Sequence, residues 1–383
     1  MKILLTNFHY GRGGGHDTYV GVIARGLAVR HQVYVAAPAT SRLYAHVSAM
    51  PGVHALPFEF PAKLKDVRRM VPAWRALRAL LERERFDVVH VNGSPDHRLL
   101  MFAMMGMKGT RPRVVWTKHN SIAIKTDFLT RVRATRATDA VIAVSDSTAT
   151  FVRDSVYGGK PVTVVKNGVD IDAFQPASAA ETLAARAMLL GEAGAGQLVL
   201  GTVTGFDWYK GTMDMIAAVA ALPREARDAC TIVVVGTEPS EEQWREIDAL
   251  GMREQVRVEG FVEDVKSYVR AFDVGFVVSY AIETVSFACR EMMAMGKPVI
   301  VARYAGLPEN IEDGVDGWIV PPHDPPALSG TLARILAQRG QLGAMSVRAR
   351  AKAEREFSQQ DFIDQTEQVY LQQLPTSSKS PPA

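Results

Sequence analysis

Short runs of β-branched residues alternate with longer amphipathic segments along the whole chain. This alternation is typical of βαβ units, in which helices cover the faces of a parallel sheet. In the first half the pattern predicts strands at 2–8, 32–37, 87–92, 113–119, 140–145 and 162–166. Helices are predicted between them, including 16–28, 65–85, 127–136 and 146–156.

The same rhythm restarts after an Asn-Gly pair at 167–168 and a proline at 176, which interrupt the pattern. The second half predicts strands at 198–203, 231–236, 256–260, 274–279 and 298–302, and helices at 212–221, 241–250, 265–272 and 283–295. We therefore predict an α/β protein with two doubly wound parallel-sheet domains, residues 1–170 and 171–355. A mostly helical stretch closes the pattern at about 374, and the Pro/Ser-rich residues 375–383 are predicted to be a disordered tail.

Composition narrows the class of protein. The 383 residues are 47% hydrophobic and 22% charged, which excludes a wholly disordered chain. The two cysteines, Cys230 and Cys289, lie far apart in apolar stretches, so neither a disulfide scaffold nor a cysteine-rich zinc site is expected. The apolar run at the N-terminus is too short for a secretory signal, and 99–107 is about half a membrane span. We expect a cytoplasmic protein without a spanning helix.

Charge is divided unevenly between the halves. Residues 1–170 hold 25 Lys and Arg against 12 Asp and Glu, a net of +13, whereas the remainder holds 19 against 29, a net of −10. A basic domain attracts phosphate-bearing ligands, anionic lipid or nucleic acid, and charge alone does not choose among them.

A glycine-rich loop, 11–15, follows the first predicted strand and precedes a helix. Gly13, Gly14 and Gly15 would let backbone N–H groups approach an anion at the positive end of that helix. A dinucleotide fingerprint needs a third glycine where His16 stands, so we predict contact with a phosphate or sugar rather than NAD. An ordinary tight turn is the alternative.

Two glutamates, Glu283 and Glu291, stand eight residues apart in the block 283–300. If both were helical, this spacing would place them on roughly one side of the helix. The backbone N–H groups of Val285, Ser286 and Phe287 would then face a phosphate at the helix start, while Glu291 could bind a ribose diol. On spacing alone, an amphipathic helix with solvated glutamates is the better explanation of the block.

This block resembles the E-x7-E signature of the retaining glycosyltransferases of family GT4. The matching residues are Glu283, Glu291, Met293, Ala294, Gly296, Pro298 and Val299. The chain departs from the family at Thr284, Val285 and Ser286, where Gly, Phe and Gly are usual. The resemblance implies the GT-B fold, with two Rossmann-like domains facing a central cleft. It further implies a metal-independent reaction with a nucleotide-sugar donor and no cofactor.

Further matches follow in the family's order. Residues 167–176 resemble the interdomain linker, a better interpretation of Asp170 and Asp172 than a metal-binding pair. The resemblance assigns Val262 to the nucleotide base and His119 to the active site of the first domain. It also implies that a C-terminal helix at about 356–374 packs back on that domain.

The Lys-Gly pair at 210–211 resembles the start of a helix in the family's nucleotide domain. Lys210 would place a cation on the donor diphosphate, where negative charge grows as the leaving group departs. The family usually pairs this lysine with an arginine five residues earlier, and here that donor-side position is Gly205. The sequence therefore predicts one cation fewer than usual.

Residues 63–85 form a basic amphipathic stretch, with apolar residues at helical spacing and arginines interleaved. Such a helix could lie on an anionic membrane surface, or it could pack on the sheet with a solvated arginine face. Nucleic acid is not expected, since no aromatic-interleaved or helix-turn-helix pattern accompanies the charge.

Together the residues and the resemblance predict a retaining glycosyltransferase with Glu283, His119 and Lys210 in the reaction. We expect a UDP-linked donor and a saccharide or lipid-linked acceptor bound near His16 and Asn120, as in envelope polysaccharide or lipopolysaccharide synthesis. A catalytically silent partner subunit is the main alternative, and a dinucleotide-dependent oxidoreductase is a more distant one.

Overall fold

The computed structural model describes residues 1–11, 14–61, 67–191 and 196–374. The chain divides into two compact units. Unit 1 comprises Met1–Asn167 and the segment from Gln360 onward, and unit 2 comprises Gly168–Gln359. These divisions fall a few residues from those predicted. The predicted tail, 375–383, lies outside the described residues.

Unit 1 contains a seven-stranded parallel sheet in the order β3-β2-β1-β4-β5-β6-β7. Its strands are β1 Lys2–Thr6, β2 Gln32–Ala37, β3 Val53–Pro57, β4 Val88–Val91, β5 Arg113–Lys118, β6 Ala140–Ala143 and β7 Val162–Val164. Its helices are α1 Gly15–Leu27, α2 Arg42–Ser48, α3 Val67–Glu84, α4 Ser94–Met104, α5 Phe128–Arg136 and α6 Asp146–Arg153.

Unit 2 contains a six-stranded parallel sheet in the order β10-β9-β8-β11-β12-β13. Its strands are β8 Leu198–Thr202, β9 Cys230–Val235, β10 Val256–Glu259, β11 Val274–Val277, β12 Val299–Ala302 and β13 Gly317–Val320. Its helices are α7 Ala179–Leu190, α8 Thr212–Ala220, α9 Arg224–Asp228, α10 Glu241–Ala249, α11 Lys266–Val269, α12 Phe287–Ala294, α13 Pro325–Ala337 and α14 Leu342–Glu356.

The central strands are almost entirely apolar because both faces of each sheet are covered by helices. Several strands end earlier than predicted, as β1 does at Thr6 and β6 at Ala143. The residues that leave the ladder are polar side chains such as Asn7 and Ser145, which begin the loops at the carboxyl edge of the sheet. The edge strands β3 and β13 were not predicted, since their short patterns are half-exposed or interrupted.

The C-terminal helix, α15 Gln359–Gln373, completes the core of unit 1. Phe362 packs 5.1 Å from the Tyr19 ring, and Ile363 fills the space that a side chain at Gly26 would need. The Tyr370 hydroxyl lies 2.5 Å from Nδ1 of the buried His90. Where the chain crosses between units, Val169 donates to the Phe357 carbonyl and accepts from Gln359 N–H, so the two connecting segments run side by side.

In the described part of the chain, no helix combines the length and the apolar character needed to span a membrane.

Candidate active site

Each parallel sheet has one position where the strand order reverses, and ligands of open α/β sheets bind at the carboxyl ends of the strands there. In unit 1 this position lies between β1 and β4, and in unit 2 between β8 and β11. Most of the described site residues predicted from the sequence lie in the loops after these strands and after the neighbouring β5 and β10. The others lie on helices: Gly15 and His16 at the start of α1, and Phe287 and Glu291 on α12. Gly13 falls outside the described residues.

In unit 2 the loops after β8 and β11 are joined by an ion pair. Nζ of Lys210 lies 2.9 Å from Oε2 of Glu283, and only 15% and 12% of these side chains are exposed. Burial lowers the pKa of Lys210, but the Glu283 carboxylate, together with Tyr209 and Asp207, more than offsets this and the net pKa is raised. Lys210 is therefore a fixed, largely desolvated positive charge at the switch point.

Glycine at 211 lets these loops approach. Gly211 has a φ of 72°, in the left-handed region, and an added Cβ would lie 2.4 Å from the Val278 carbonyl oxygen. A side chain at 211 would push the loop after β8 away from the end of β11. Lys210 would then lose its partner across the switch point.

The backbone conformation at Gly205 explains why this chain lacks the arginine that the family usually has at that position. Its φ is 72°, and an added Cβ would lie 2.3 Å from the backbone nitrogen of Thr237. The Gly205 carbonyl also accepts a hydrogen bond from the Thr212 hydroxyl at 2.6 Å. This backbone has no room for the usual arginine side chain, so the second cation is excluded by the loop conformation itself.

The helix after β11 begins later than predicted. Phe287 is the first residue of α12, so Glu283 lies in the preceding loop, and the prediction that both glutamates lie on one helix is wrong. The reason is the backbone at Ser286, whose φ of 54° and ψ of 114° are not helical and strongly favour glycine. The family's usual glycine at this position fits that conformation without strain, whereas Ser286 is held there by its surroundings.

Those surroundings are residues for which the sequence analysis predicted no role. Asn310 donates to the Val285 carbonyl at 2.7 Å and accepts from Nε of Arg290 at 2.8 Å. Arg290 is 1% exposed, stacks 4.3 Å from the Phe357 ring, and burial lowers its pKa to about 10. The signal in the sequence that could have identified Arg290 is a charged residue within an otherwise apolar helical face. Together these side chains hold the backbone ahead of α12.

Glu291 occupies the second turn of α12 and is half-buried. Its carboxylate makes no hydrogen bond or ion pair with the described residues, and burial raises its pKa to about 7. A carboxyl group in such a position can accept hydrogen bonds from a diol once it is ionised. Val262, assigned to the base, packs against the core of unit 2, and Phe261 beside it is 66% exposed.

In unit 1 the rings of three histidines pack together near the carboxyl ends of β1 and β5, two from the loops and one from the start of α1. The His16 ring lies 4.5 Å from the His9 ring and 4.2 Å from the His119 ring. Burial lowers the pKa of each histidine, and that of His16 falls to about 3. The trio is therefore uncharged near neutral pH. Among the described residues, the buried atoms Nε2 of His9 and Nδ1 of His16 have no hydrogen-bond partner.

The tautomer of His119 follows from the orientation of Asn92. Asn92 Nδ2 donates to the Thr6 carbonyl at 3.0 Å, so its Oδ1 faces His119 Nε2 at 2.9 Å and can only accept. His119 Nε2 therefore carries the proton, and Nδ1 is the lone-pair nitrogen of the neutral ring. Asp96, behind Asn92, accepts from the Asn92 N–H and the Thr6 hydroxyl, and burial raises its pKa to about 6.

Asn120 belongs to a hydrogen-bonded turn. Its Oδ1 accepts from Nζ of Lys118 at 2.6 Å and from the Ile122 N–H at 3.3 Å. Lys118 also donates to the Ile122 carbonyl at 2.7 Å, and burial lowers its pKa to about 8. The turn fixes the backbone just after His119. Gly14 and Gly15 lie at the start of α1, with His16 directly after them.

Two sequence models of known families match the chain. The one described as Glycosyltransferase Family 4 covers residues 13–173, and the one described as Glycosyl transferases group 1 covers 197–338. The chain belongs to the family 4 glycosyltransferases. This assignment agrees with the resemblance found in the E-x7-E block and removes support for an oxidoreductase.

Among curated relatives of this glycosyltransferase is a D-inositol 3-phosphate glycosyltransferase from Xylanimonas cellulosilytica. It is 29% identical over 94% of this chain and 92% of its own length. The solved structure of HepE from Anabaena in complex with UDP has a TM-score of 0.82 at 22% identity, covering 98% of this chain and all of HepE. WaaG, a glycosyltransferase involved in lipopolysaccharide biosynthesis, has a TM-score of 0.74 at 17% identity over 96% and 99% of the chains. The two parallel-sheet units of this glycosyltransferase therefore have the GT-B fold.

Replacing Asn92 by aspartate is expected to raise the pKa of His119, because a carboxylate facing Nε2 stabilises the imidazolium. NMR detection of the histidine ring nitrogens as a function of pH measures this pKa and reports which nitrogen carries the proton. Asn92→Leu, which removes the amide without adding charge, is the control and should leave the pKa of His119 low. An unchanged His119 titration in Asn92→Asp would contradict the tautomer assignment.

Proposed function

We propose that this glycosyltransferase retains anomeric configuration and transfers a sugar from a UDP-linked donor to a saccharide or lipid-linked acceptor. We place the reaction in the assembly of envelope polysaccharide or lipopolysaccharide, on the cytoplasmic side of the membrane. The observation that carries the proposal is the desolvated pair of Lys210 and Glu283 at the switch point of unit 2.

The donor diphosphate would lie against Lys210 and the start of α12. Backbone N–H groups at a helix start, together with the helix dipole, favour an anion, and the loop 285–287 leads into that start. A lysine ammonium has three donors, so Lys210 can bind a phosphate oxygen while keeping Glu283. Glu283 would in turn accept hydrogen bonds from hydroxyls of the transferred sugar.

A ribose diol would bind Glu291, the half-buried carboxyl group with no described partner. The choice of UDP is supported by HepE, whose structures were solved with UDP and with UDP-glucose. Acceptors of the lipopolysaccharide or envelope saccharide class are supported by the likeness to WaaG, which is involved in lipopolysaccharide biosynthesis. The inositol phosphate relatives favour a small hydroxylated acceptor equally well.

On the acceptor side, His119 would use Nδ1 to accept a hydrogen bond from a sugar hydroxyl. His16 and His9 offer buried nitrogens without described partners, and such atoms favour a bound polar group. We expect a front-face displacement, in which the acceptor approaches the anomeric carbon from the side of the leaving group. The acceptor hydroxyl oxygen bonds to the anomeric carbon as the bond to the diphosphate oxygen breaks. The hydroxyl proton passes to the departing phosphate, so no side-chain base is required.

Metal independence is part of the proposal, because Lys210 and the α12 N–H groups would supply the positive charge that the leaving diphosphate needs. Among the residues that the structure describes, no three His, Cys, Asp or Glu side chains form a group able to hold a metal ion.

The second candidate function is that of a catalytically silent partner subunit. It is favoured by the loop conformation at Gly205, which leaves no room for a second cationic side chain. A chain that binds UDP-glucose but never cleaves it would be that subunit.

Lys210→Met is expected to weaken UDP-glucose binding about 10- to 100-fold, since hydrogen bonds to charged groups contribute about 1.5–3 kcal/mol. Isothermal titration of purified protein measures the loss. Lys352→Met is the matched control, because it breaks a similarly buried pair with Asp316 elsewhere in unit 2. Equal UDP-glucose affinity in wild type and Lys210→Met would remove Lys210 from the donor site.

UDP-glucose binding is also expected to strengthen as pH rises through about 7, because only ionised Glu291 accepts hydrogen bonds with both carboxylate oxygens. UDP-glucose is a suitable probe, since its diphosphate has no titrating group in this range. In Glu291→Gln the affinity should be lower above pH 7 and flat across it. A wild-type affinity that does not change between pH 6 and 8 would contradict the ribose role.

We further propose that α3 contacts anionic lipid by charge alone. Its apolar residues Met70, Leu77, Leu80 and Leu81 are buried in unit 1, so they are not available to the membrane. The exposed arginines of the helix and its end are Arg68, Arg69, Arg75, Arg83 and Arg85. A surface contact of this kind weakens with salt.

Replacing Arg68, Arg69 and Arg75 by glutamine should lower binding to phosphatidylglycerol vesicles by about two orders of magnitude, at about 1 kcal/mol for each arginine. Vesicle sedimentation at low salt measures the change. The control replaces Arg224, Arg253 and Arg355, which are exposed arginines of unit 2. If both triple variants bind vesicles alike, α3 is not the contact.

A further inference from the structure

An exposed aromatic surface lies in unit 2 beside the Lys210 loop. Its members come from three loops, each following the carboxyl end of a strand: Trp208 after β8, Tyr280 after β11 and His323 after β13. The Trp208 and Tyr280 rings are 5.9 Å apart, and the Tyr280 and His323 rings are 4.7 Å apart. We call these three side chains the aromatic platform. Neither the sequence nor the family assignment gave it a role.

Hydrogen bonds hold two of the three platform side chains, those of Tyr280 and His323. The Tyr280 N–H donates to the Tyr209 carbonyl at 3.0 Å, and the Tyr280 hydroxyl donates to the Trp208 carbonyl. His323 has a φ of 53° and is fixed by Asp214, whose carboxylate lies 2.9 Å from Nδ1. A rigid aromatic surface loses little side-chain entropy when a ligand covers it.

The platform is far more exposed than the ion pair next to it along the chain. Trp208 is 65% exposed, against 15% for the Lys210 side chain, and the His323 side chain is 67% exposed. Large aromatic side chains left in water at the carboxyl edge of a parallel sheet lie where ligands bind. A ligand that covered these rings would remove apolar surface from water, which favours binding.

We propose that the aromatic platform is a stacking subsite for a pyranose ring of the saccharide acceptor, an assignment that rests on the proposed glycosyl transfer. One face of a pyranose presents C–H groups with partial positive charge, which complement the negative face of an aromatic ring. The hydroxyl groups at the edge of the pyranose stay in water. An exposed platform suits a chain of sugars of which only one ring enters the reaction.

A nucleobase would also stack on aromatic rings, but bases are usually held by hydrogen bonds along their edges as well. Here two of the polar atoms at the platform are engaged by the protein. The Tyr280 hydroxyl donates to the Trp208 carbonyl, and Nδ1 of His323 pairs with Asp214. This arrangement favours a ligand that needs the ring faces rather than their polar edges.

The test uses full-length protein labelled with 5-fluorotryptophan and observed by fluorine NMR. Cellobiose, maltose and N-acetylchitobiose are the saccharide probes, and uridine is the nucleobase probe. Saturating disaccharide should shift the Trp208 signal, assigned with Trp208→Phe, and leave the Trp244 signal unchanged. In Trp208→Ala the dissociation constant should rise about tenfold, and Trp208→Phe should restore most of the affinity.

Trp244→Ala is the matched control, because Trp244 lies on α10 with the Arg253 guanidinium 3.8 Å from its ring. That variant should bind the disaccharides as wild type does. A Trp208 signal unmoved by all three disaccharides, or moved only by uridine, would overturn the subsite. UDP binding reports separately on the proposed function: if Trp208→Ala loses UDP affinity as well, Trp208 supports the Lys210 loop and the proposal fails.

Discussion

The ion pair between Lys210 and Glu283 is the interaction on which the site in unit 2 depends. Two parallel strands, β8 and β11, end side by side, and their loops turn away from each other because the strand order reverses there. Opposite charges at this point draw the two loops together in a largely dry environment, where the attraction is stronger than in water. The same desolvation makes either charge costly when it stands alone. Lys210 is therefore a cation that is already placed and oriented at the switch point.

The candidate sites of the two units differ in their charge. Unit 2 uses fixed charge at the switch point, with Arg290 and Asn310 holding the backbone ahead of α12. Unit 1 carries neutral imidazoles, because burial holds the pKa values of its three histidines low. A neutral imidazole offers one hydrogen-bond donor and one acceptor without a net charge that would attract an anion. The division of net charge between the two halves of the chain does not predict this local arrangement.

Much of the fold could be predicted because buried parallel strands leave continuous β-branched runs in the sequence. Strand β2 was predicted with its observed ends, whereas half-exposed edge strands such as β3 leave no such run and were missed. Lys210 was placed correctly in the loop before α8, whereas Glu283 was predicted at the first position of a helix and lies in the loop before α12. The supporting residues were not predicted, since Asn92 acts on His119 across two strands and no spacing along the chain records that contact. The start of α12 was misplaced because one unusual backbone conformation, at Ser286, overrides helix propensity.

The docking of α15 has a consequence for the order of biosynthesis. Phe362, Ile363 and Tyr370 are core residues of unit 1, yet they are translated after the whole of unit 2. Unit 2 is continuous in the chain and can collapse while translation proceeds, as domains generally do during synthesis. Until α15 has been synthesised, the earlier part of unit 1 has an open groove and exposed apolar surface where that helix will pack. Chaperone engagement of the nascent chain should therefore concentrate on the domain that is made first.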